Sequence, residues 1–555
     1  MTFSQMKEEL IDSGKLKLGS YRIEEKSGIK KVKYKAGEDG QPEPIGAEVI
    51  CKKPIIPTAI MDNNDTQTQK VEVAVYDKKR WRRVVLNRER LTNKSKVVQL
   101  ADYGFPVGSD NAGELARYFN SVLADSDESL PRKTALSVMG WAEDEDGNKL
   151  FMPFTDEIGF DGSDAYGALF NAISQKGTES EWIEYVAPLR ENLELRLTMA
   201  ASFASPIVEL VGENPFVLHL WGGTGSGKTV SVLVAMSIWG NPKMGCLTRT
   251  MNMTKNSMLS TAAFLNSIPF AGDELQTIKS RWQNYDDLIM QVTEGIDRGR
   301  MSYDKLNETK SWRCAFLFSG EEPCVKFDSG GGAVNRVIQI ECKGKMVQNG
   351  NKVANFVRSH YGTVAPKYVE ILQSGRYDLN VLYESYVNDI MSSCDTTDKQ
   401  AGAMALLLTA DFIASTSFWP SEQQISIKDV EQYLASASNV DVTERAYNYL
   451  CGTVSENSAN FDPDTSRTVW GRNEKDGTVL INKNTMIRLL HDAGFDFEAC
   501  KLKWQRNGYI EKNNAGRYQH YTTLNGVPTY CIKLRMPAEE TEPESMTDYT
   551  GKIPF

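Results

Sequence analysis

The sequence predicts a multidomain α/β protein, and three observations carry that expectation. The chain has 555 residues, several times what a single hydrophobic core organises, so it divides into domains. The strand-like run Phe216-Val217-Leu218-His219-Leu220 leads into a glycine-rich turn and then into a helical pattern from Val230 to Met236. Downstream, two more apolar stretches end in polar groups, at Asp273-Glu274 and at Ser319-Gly320.

Composition narrows the class. Hydrophobic residues make up 41% and aromatics 10%, the values of an ordinary globular chain. No run of about twenty apolar residues is present, so no membrane span is expected, and the first ten residues lack the apolar segment of a secretory signal. The nine cysteines are scattered without a C-x-x-C pair, as in a cytoplasmic protein with reduced thiols. The four histidines, none near a cysteine pair, argue against structural zinc. The net charge of -10 leaves a nucleic-acid partner open, because a ring or channel concentrates its cations on an inner surface.

The glycine-rich turn is the strongest signal. Gly222-Gly223-Thr224-Gly225-Ser226-Gly227-Lys228-Thr229 fills the pattern G-x-x-x-x-G-K-[ST] between a strand and a helix. Its glycines let main-chain amides at a helix N-terminus close around phosphate oxygens. Lys228 supplies a charge for the β- and γ-phosphates, and the Thr229 hydroxyl is placed to ligate Mg²⁺. The cofactors expected are therefore ATP and Mg²⁺.

Such a cradle needs carboxylates opposite it. Residues 264–274 read as an apolar strand ending in Asp273-Glu274, although Pro269 falls inside that run. Asp273 then supports the metal and Glu274 polarises the attacking water. Residues 311–322 read as a further strand, with Ser319 where an AAA+ enzyme places the sensor that hydrogen-bonds water or γ-phosphate. Between the strands, residues 295–306 form a hairpin-like insert carrying Arg298, Arg300, Tyr303 and Lys305. It either tracks DNA inside a ring or is a surface hairpin of balanced charge. Gly330-Gly331-Gly332 then brings Arg336 to the head of an apolar strand, the placement of an arginine finger acting in trans, or of a surface arginine.

Away from this core, residues 77–83 read as a basic hairpin tip whose Trp81 either stacks on nucleic acid or packs inward. Residues 361–437 are helical in pattern, with an all-round apolar stretch near Met404 that implies burial. From residue 440 two helices and later strands suggest a winged helix, in which Lys501, Lys503 and Arg506 contact phosphate unless the module docks a protein. The chain closes with an acidic tail ending in Ile553-Pro554-Phe555.

These motifs, together with Ser237-Ile238-Trp239-Gly240-Asn241-Pro242, Thr250 and Gly272-Asp273-Glu274-Leu275, resemble the AAA+ replicative helicases of staphylococcal cassette chromosomes, the Cch-like proteins, and related phage and plasmid helicases. Those are similar in turn to minichromosome maintenance helicases. The resemblance implies an AAA+ P-loop NTPase core, a homo-hexameric ring and an ATP-driven DNA helicase, moving 3′ to 5′, that replicates a mobile element or phage. The alternative is an AAA+ loader or switch without processive unwinding. The tail tip looks like that of bacterial single-stranded DNA-binding proteins, which dock on replication partners. The expected domains are a β-rich 1–96, an α+β region 97–190, the ATPase core 191–345, a helical subdomain 346–440, a winged helix 441–535 and the acidic tail 536–555.

Overall fold

The computed structural model describes residues 2–36, 41–63, 68–143, 147–155, 158–161, 165–278, 285–297, 309–326, 329–462 and 468–537, with backbone alone at 301–302 and 305–306. The acidic tail and its tip, Arg298, Arg300 and Tyr303, and the Lys305 side chain lie outside the described residues.

The N-terminal unit is β-rich. Tyr21–Glu24, Gly28–Ala36 and Pro42–Cys51 form one antiparallel sheet. A second sheet has the order Ile158–Phe160, Arg132–Leu136, Ile55–Asn63, Thr68–Asp77, Arg80–Asn87. Their shared core begins at Phe3 and continues through helix Ala112–Asp125 to Leu130, across the expected boundary at 96. The reason is topological: Arg132–Leu136 returns to pair in parallel with Ile55–Asn63, so residues 97–130 fold as part of this unit. The basic hairpin is present, with Lys78 and Lys79 at φ 48° and 61° in its two-residue turn. Trp81 packs inward, its ring 6.0 Å from Phe3 and its indole N–H donating to the Thr2 carbonyl at 3.3 Å, so it is not a stacking platform.

The central unit holds a five-stranded parallel sheet. Its strands are β1 (Phe216–Trp221), β2 (Thr248–Thr250), β3 (Phe270–Asp273), β4 (Ala315–Gly320) and β5 (Val337–Glu341), in the spatial order β5-β1-β4-β3-β2. Helix α1 (Leu193–Leu210) leads into β1, α2 (Lys228–Met236) follows the glycine loop, α3 (Lys255–Leu265) precedes β3 and α4 (Tyr285–Glu294) precedes the hairpin insert. The strand expected over 264–274 is shorter: Phe264 and Leu265 end α3, Asn266 turns the chain at φ 49°, and Pro269 stands just before β3. A proline has no N–H for a ladder, so a central strand starts after it. The strand expected from 311 likewise starts only at Ala315, because Trp312 is buried with its indole N–H on the Val292 carbonyl at 2.7 Å.

The helical region centres on α5 (Asp398–Phe418), which packs along α1. It has the length and apolar content to cross a membrane, yet 83% of its most apolar stretch is buried inside the protein. A carboxylate fixes its register on α1. Asp411, 1% exposed, receives Arg190 at 2.9 Å and Arg196 at 2.5 Å, and Glu422 lies 2.8 Å from Arg190. Behind this unit, α6 (Val442–Glu456), α7 (Lys483–Asp492) and α8 (Phe497–Asn507) pack on a small sheet that ends in the hairpin Gln519–Leu524/Val527–Arg535. Asn482 and Asp496 cap α7 and α8, giving the two helices of a helix-turn-helix their defined starts.

A buried pair that loses one partner leaves an uncompensated charge, which is worse than never burying the pair. Asp411→Ala is therefore expected to destabilise this unit by about 3–5 kcal/mol. Urea unfolding followed by circular dichroism measures it, and a shift below about 1 kcal/mol contradicts the assignment.

Candidate active site

The parallel strands deliver their chemistry to one edge. β4 pairs with β1 so that Leu220 faces Ser319, and with β3 so that Gly272 faces Phe318. The glycine loop, Asp273 and Ser319 consequently emerge side by side at the carboxyl end of the sheet, where open α/β sheets bind their ligands. Gly272 permits this spacing, because a Cβ there would sit 2.3 Å from Met251 Sδ.

The loop is built for close approach. Gly222 has φ 137°, and a Cβ on it would come within 2.9 Å of the Cys342 carbonyl oxygen. Gly225 and Gly227 have φ 86° and 100°, which side-chain-bearing residues rarely adopt. Ser226 donates to the Gly223 carbonyl at 3.0 Å and tightens the bend. Lys228, buried in the first turn of α2, extends along the loop, its Nζ 2.8 Å from the carbonyls of both Gly222 and Gly223.

Two hydroxyls converge on one carboxylate. Thr229 Oγ1 donates to Asp273 at 3.0 Å, and Ser319 donates to the same Asp273 Oδ1. Glu274 follows with φ 60°, an unusual conformation for a side-chain-bearing residue, and it stands exposed in the cleft while Asp273 is buried. The cleft encloses about 400 Å³ between the loop, Asp273, Glu274 and Glu321. Main-chain amides, an ammonium, a hydroxyl and two carboxylates are the donor set a magnesium-bound nucleoside triphosphate requires, so the residues present fit that ligand.

Several cleft residues were not read from the sequence. Glu321, two positions beyond Ser319, accepts from the Thr224 hydroxyl at 3.0 Å, and its amide faces Gln276 Oε1 at 3.4 Å. Lys345, Gln348 and Asn351 close the far wall. The doublet Glu321-Glu322 after an apolar strand was the available signal for the first of these; Lys345 and Gln348 arrive on a loop whose path no periodicity records, and Asn351 on the first turn of the helix Gly350–Val357 that follows it.

Arg336 stands at the opposite end of the sheet. Val337 pairs with Val217, so the six residues of β1, roughly 20 Å at about 3.3 Å per residue, separate the arginine from the glycine loop of its own chain. Its guanidinium donates to the Gly332 carbonyl at 2.9 Å and rests on Met290 Sδ at 3.0 Å. In the hairpin insert Met301–Ser302 runs antiparallel to Lys305–Leu306, and the Asp297 amide donates to the Lys310 carbonyl at 2.8 Å at its base. In the helix-turn-helix domain Lys501 is paired with Glu498 at 3.0 Å and Lys503 with Asp441, and both Lys503 and Arg506 are exposed.

Fold and cleft define a multidomain α/β protein with a glycine-loop cleft at the carboxyl edge of a parallel sheet and a helix-turn-helix domain behind it. A family model described as "Domain of unknown function (DUF927)" matches residues 21–311, more than half of the chain, and the chain belongs to that family. A second model, "Cch helix turn helix domain", matches residues 441–538. No curated protein sequence matches. Among solved structures, "SCCmec type IV Cch - active helicase" superposes with a TM-score of 0.72 at 18% identity, covering 94% of this chain and 98% of that one. The fold is thus Cch-like over nearly its whole length. The apo C-terminal region of NrS-1 aligns at 11% identity over 86% of this chain and 96% of that one, with a TM-score of 0.33, too low to bear on the fold.

His219, on β1 beneath the cleft, is fully buried with its Nε2 3.0 Å from the Glu322 carbonyl. Burial pushes its imidazole down to about 4 from the ordinary 6.5. The folded state holds it neutral, so its stabilisation is complete above about pH 6.5 and declines as pH falls from there toward 4, by about 3 kcal/mol in all. Urea midpoints between pH 7 and 4.5 should show a decline that His219→Gln flattens; parallel pH curves for the two proteins would contradict this.

Proposed function

We propose that this protein is an ATP-driven DNA helicase with an AAA+ P-loop core, working as a homo-hexameric ring. The observation that carries the proposal is the meeting of Thr229 and Ser319 on Asp273 at the mouth of the glycine loop, with Glu274 beside them. The strand order β5-β1-β4-β3-β2 supports the AAA+ assignment. The position of Arg336, remote from its own cleft and at the head of β5, supports a ring in which it serves a neighbour.

In this mechanism the loop amides and Lys228 bind and neutralise the β- and γ-phosphates. Thr229 and Asp273 would hold Mg²⁺, which supplies charge neutralisation on the phosphates when bound. Glu274 accepts the proton of the water that attacks the γ-phosphorus, and Ser319 orients that water or the γ-phosphate. Arg336 of one subunit stabilises the charge that spreads over the phosphoryl group in the next. Arg298, Arg300, Tyr303 and Lys305 on the hairpin insert carry the motion to DNA in the pore. The likeness to the active Cch helicase supports helicase action, with 3′ to 5′ movement and replication of a mobile element or phage as the finer proposal. The helix-turn-helix domain supports DNA as partner, in a winged-helix mode through α8 and the hairpin after it. Replication proteins are proposed to dock on Ile553-Pro554-Phe555.

Glu274→Gln is expected to slow ATP hydrolysis by about 100-fold or more while ATP binding persists, and to abolish unwinding of forked DNA. Hydrolysis assays and strand-displacement gels run side by side decide it. DNA-stimulated hydrolysis without unwinding in the native protein would instead identify a loader or switch, and no hydrolysis would overturn the assignment of the cleft.

A further inference from the structure

The segment that presents Arg336 is flexible by sequence and immobilised by its neighbours. Gly330, Gly331 and Gly332 stand in a row just before it, and glycine loses more conformational freedom than any other residue when fixed. A guanidinium that must meet a transferring phosphoryl group tolerates little misplacement, since an error of about 1 Å costs about 100-fold in rate. Something outside the segment must therefore hold it.

Three elements do so. From α4, Asp286 accepts from the Gly330 amide at 2.5 Å, and Met290 supports the guanidinium. From α5, Gln400 is fully buried, and its side-chain amide donates to the Val334 carbonyl at 2.7 Å and to the Val337 carbonyl at 2.9 Å. Those two carbonyls bracket Arg336 in sequence. Thr397, one turn earlier, donates to the Asn335 side chain. From α6, Arg445, 5% exposed, donates to the Ser329 carbonyl at 2.5 Å, and just before α6 the Val440 carbonyl is so close to Gly331 that a Cβ there would lie 2.3 Å from it.

We propose that Gln400 and Arg445 are positioning residues for Arg336, and that the helix-turn-helix domain, through Arg445, sets hydrolysis in the neighbouring subunit rather than in its own. The inference rests on the trans role of Arg336. It adds a direction: the C-terminal domain of one subunit governs the cleft of the next. Gln400 fits this because its one amide fixes the backbone on both sides of the arginine, which a hydrophobic residue of equal volume cannot do. Arg445 fits because it is the side chain through which the first helix of the C-terminal domain grips the glycine-rich segment itself.

The test uses the full-length protein and mixed subunits. Arg445→Gln and Gln400→Met are expected to lower kcat for ATP at least tenfold, with KM for ATP and nucleotide binding unchanged, because their own clefts are intact. Lys228→Ala disables the cleft but leaves the arginine in place. Mixing Lys228→Ala with either variant should recover hydrolysis that neither shows alone, since a variant's cleft then meets a sound arginine in about a quarter of randomly mixed interfaces. Arg336→Ala mixed with Lys228→Ala is the control. If that control fails to recover activity, the trans role is wrong. If the control recovers and both the Arg445→Gln and Gln400→Met mixtures stay inactive, for whatever reason, the positioning role is overturned. A KM that rises with kcat unchanged would overturn it as well, by placing the defect in the variant's own cleft.

Discussion

The architecture depends on the parallel register of β3, β4 and β1. Because β4 lies between the other two and runs in the same direction, three segments far apart in the chain end at one edge at one level. The glycine loop, the carboxylates and the Ser319 hydroxyl require no further device to meet. Displacing β3 by one residue would turn Asp273 to the opposite face of the sheet, away from Thr229 and Ser319. The tight seat of Gly272 against Met251 and Phe318 opposes such a slip, which makes a residue without a side chain one of the determinants of the cleft.

The remaining elements hold that edge in place. α1 and α5 form the buried backing, keyed by two arginines on one carboxylate, and α5 in turn reaches the segment before β5 through Thr397 and Gln400. Buried polar groups of this kind are costly unless every partner is present, so they specify one arrangement of the helices where an apolar interface would accept several. His219 has a comparable place inside the sheet, where it ties β1 to the turn that follows β4.

How much was legible in the sequence follows from the range of each interaction. The glycine loop was readable because its spaced glycines, lysine and threonine form a local pattern that adjoins its own strand and helix. Asp273-Glu274 was found, but the start of its strand was misplaced: the apolar end of α3 and the strand form one run of like residues, and only Pro269 marks the break. The Arg190–Asp411 contact spans 221 positions and leaves no local trace. The N-terminal boundary was missed for the same reason, since the strand that completes the second sheet arrives some seventy residues after the one it pairs with.

Helix α5 has one more consequence, for the order in which the chain is made. A segment apolar on every face is a hazard while it emerges from the ribosome, because it is read as readily by a membrane as by a protein core. Its docking surface is synthesised well ahead of it: at about 5–20 residues per second, α1 is complete roughly 10–40 s before the end of α5 appears. Asp411 is then the charged residue along the buried length, unwelcome in lipid and matched by the two arginines already waiting. The same carboxylate that sets the helix in register thus favours docking of the emerging segment on α1 over its partition into lipid.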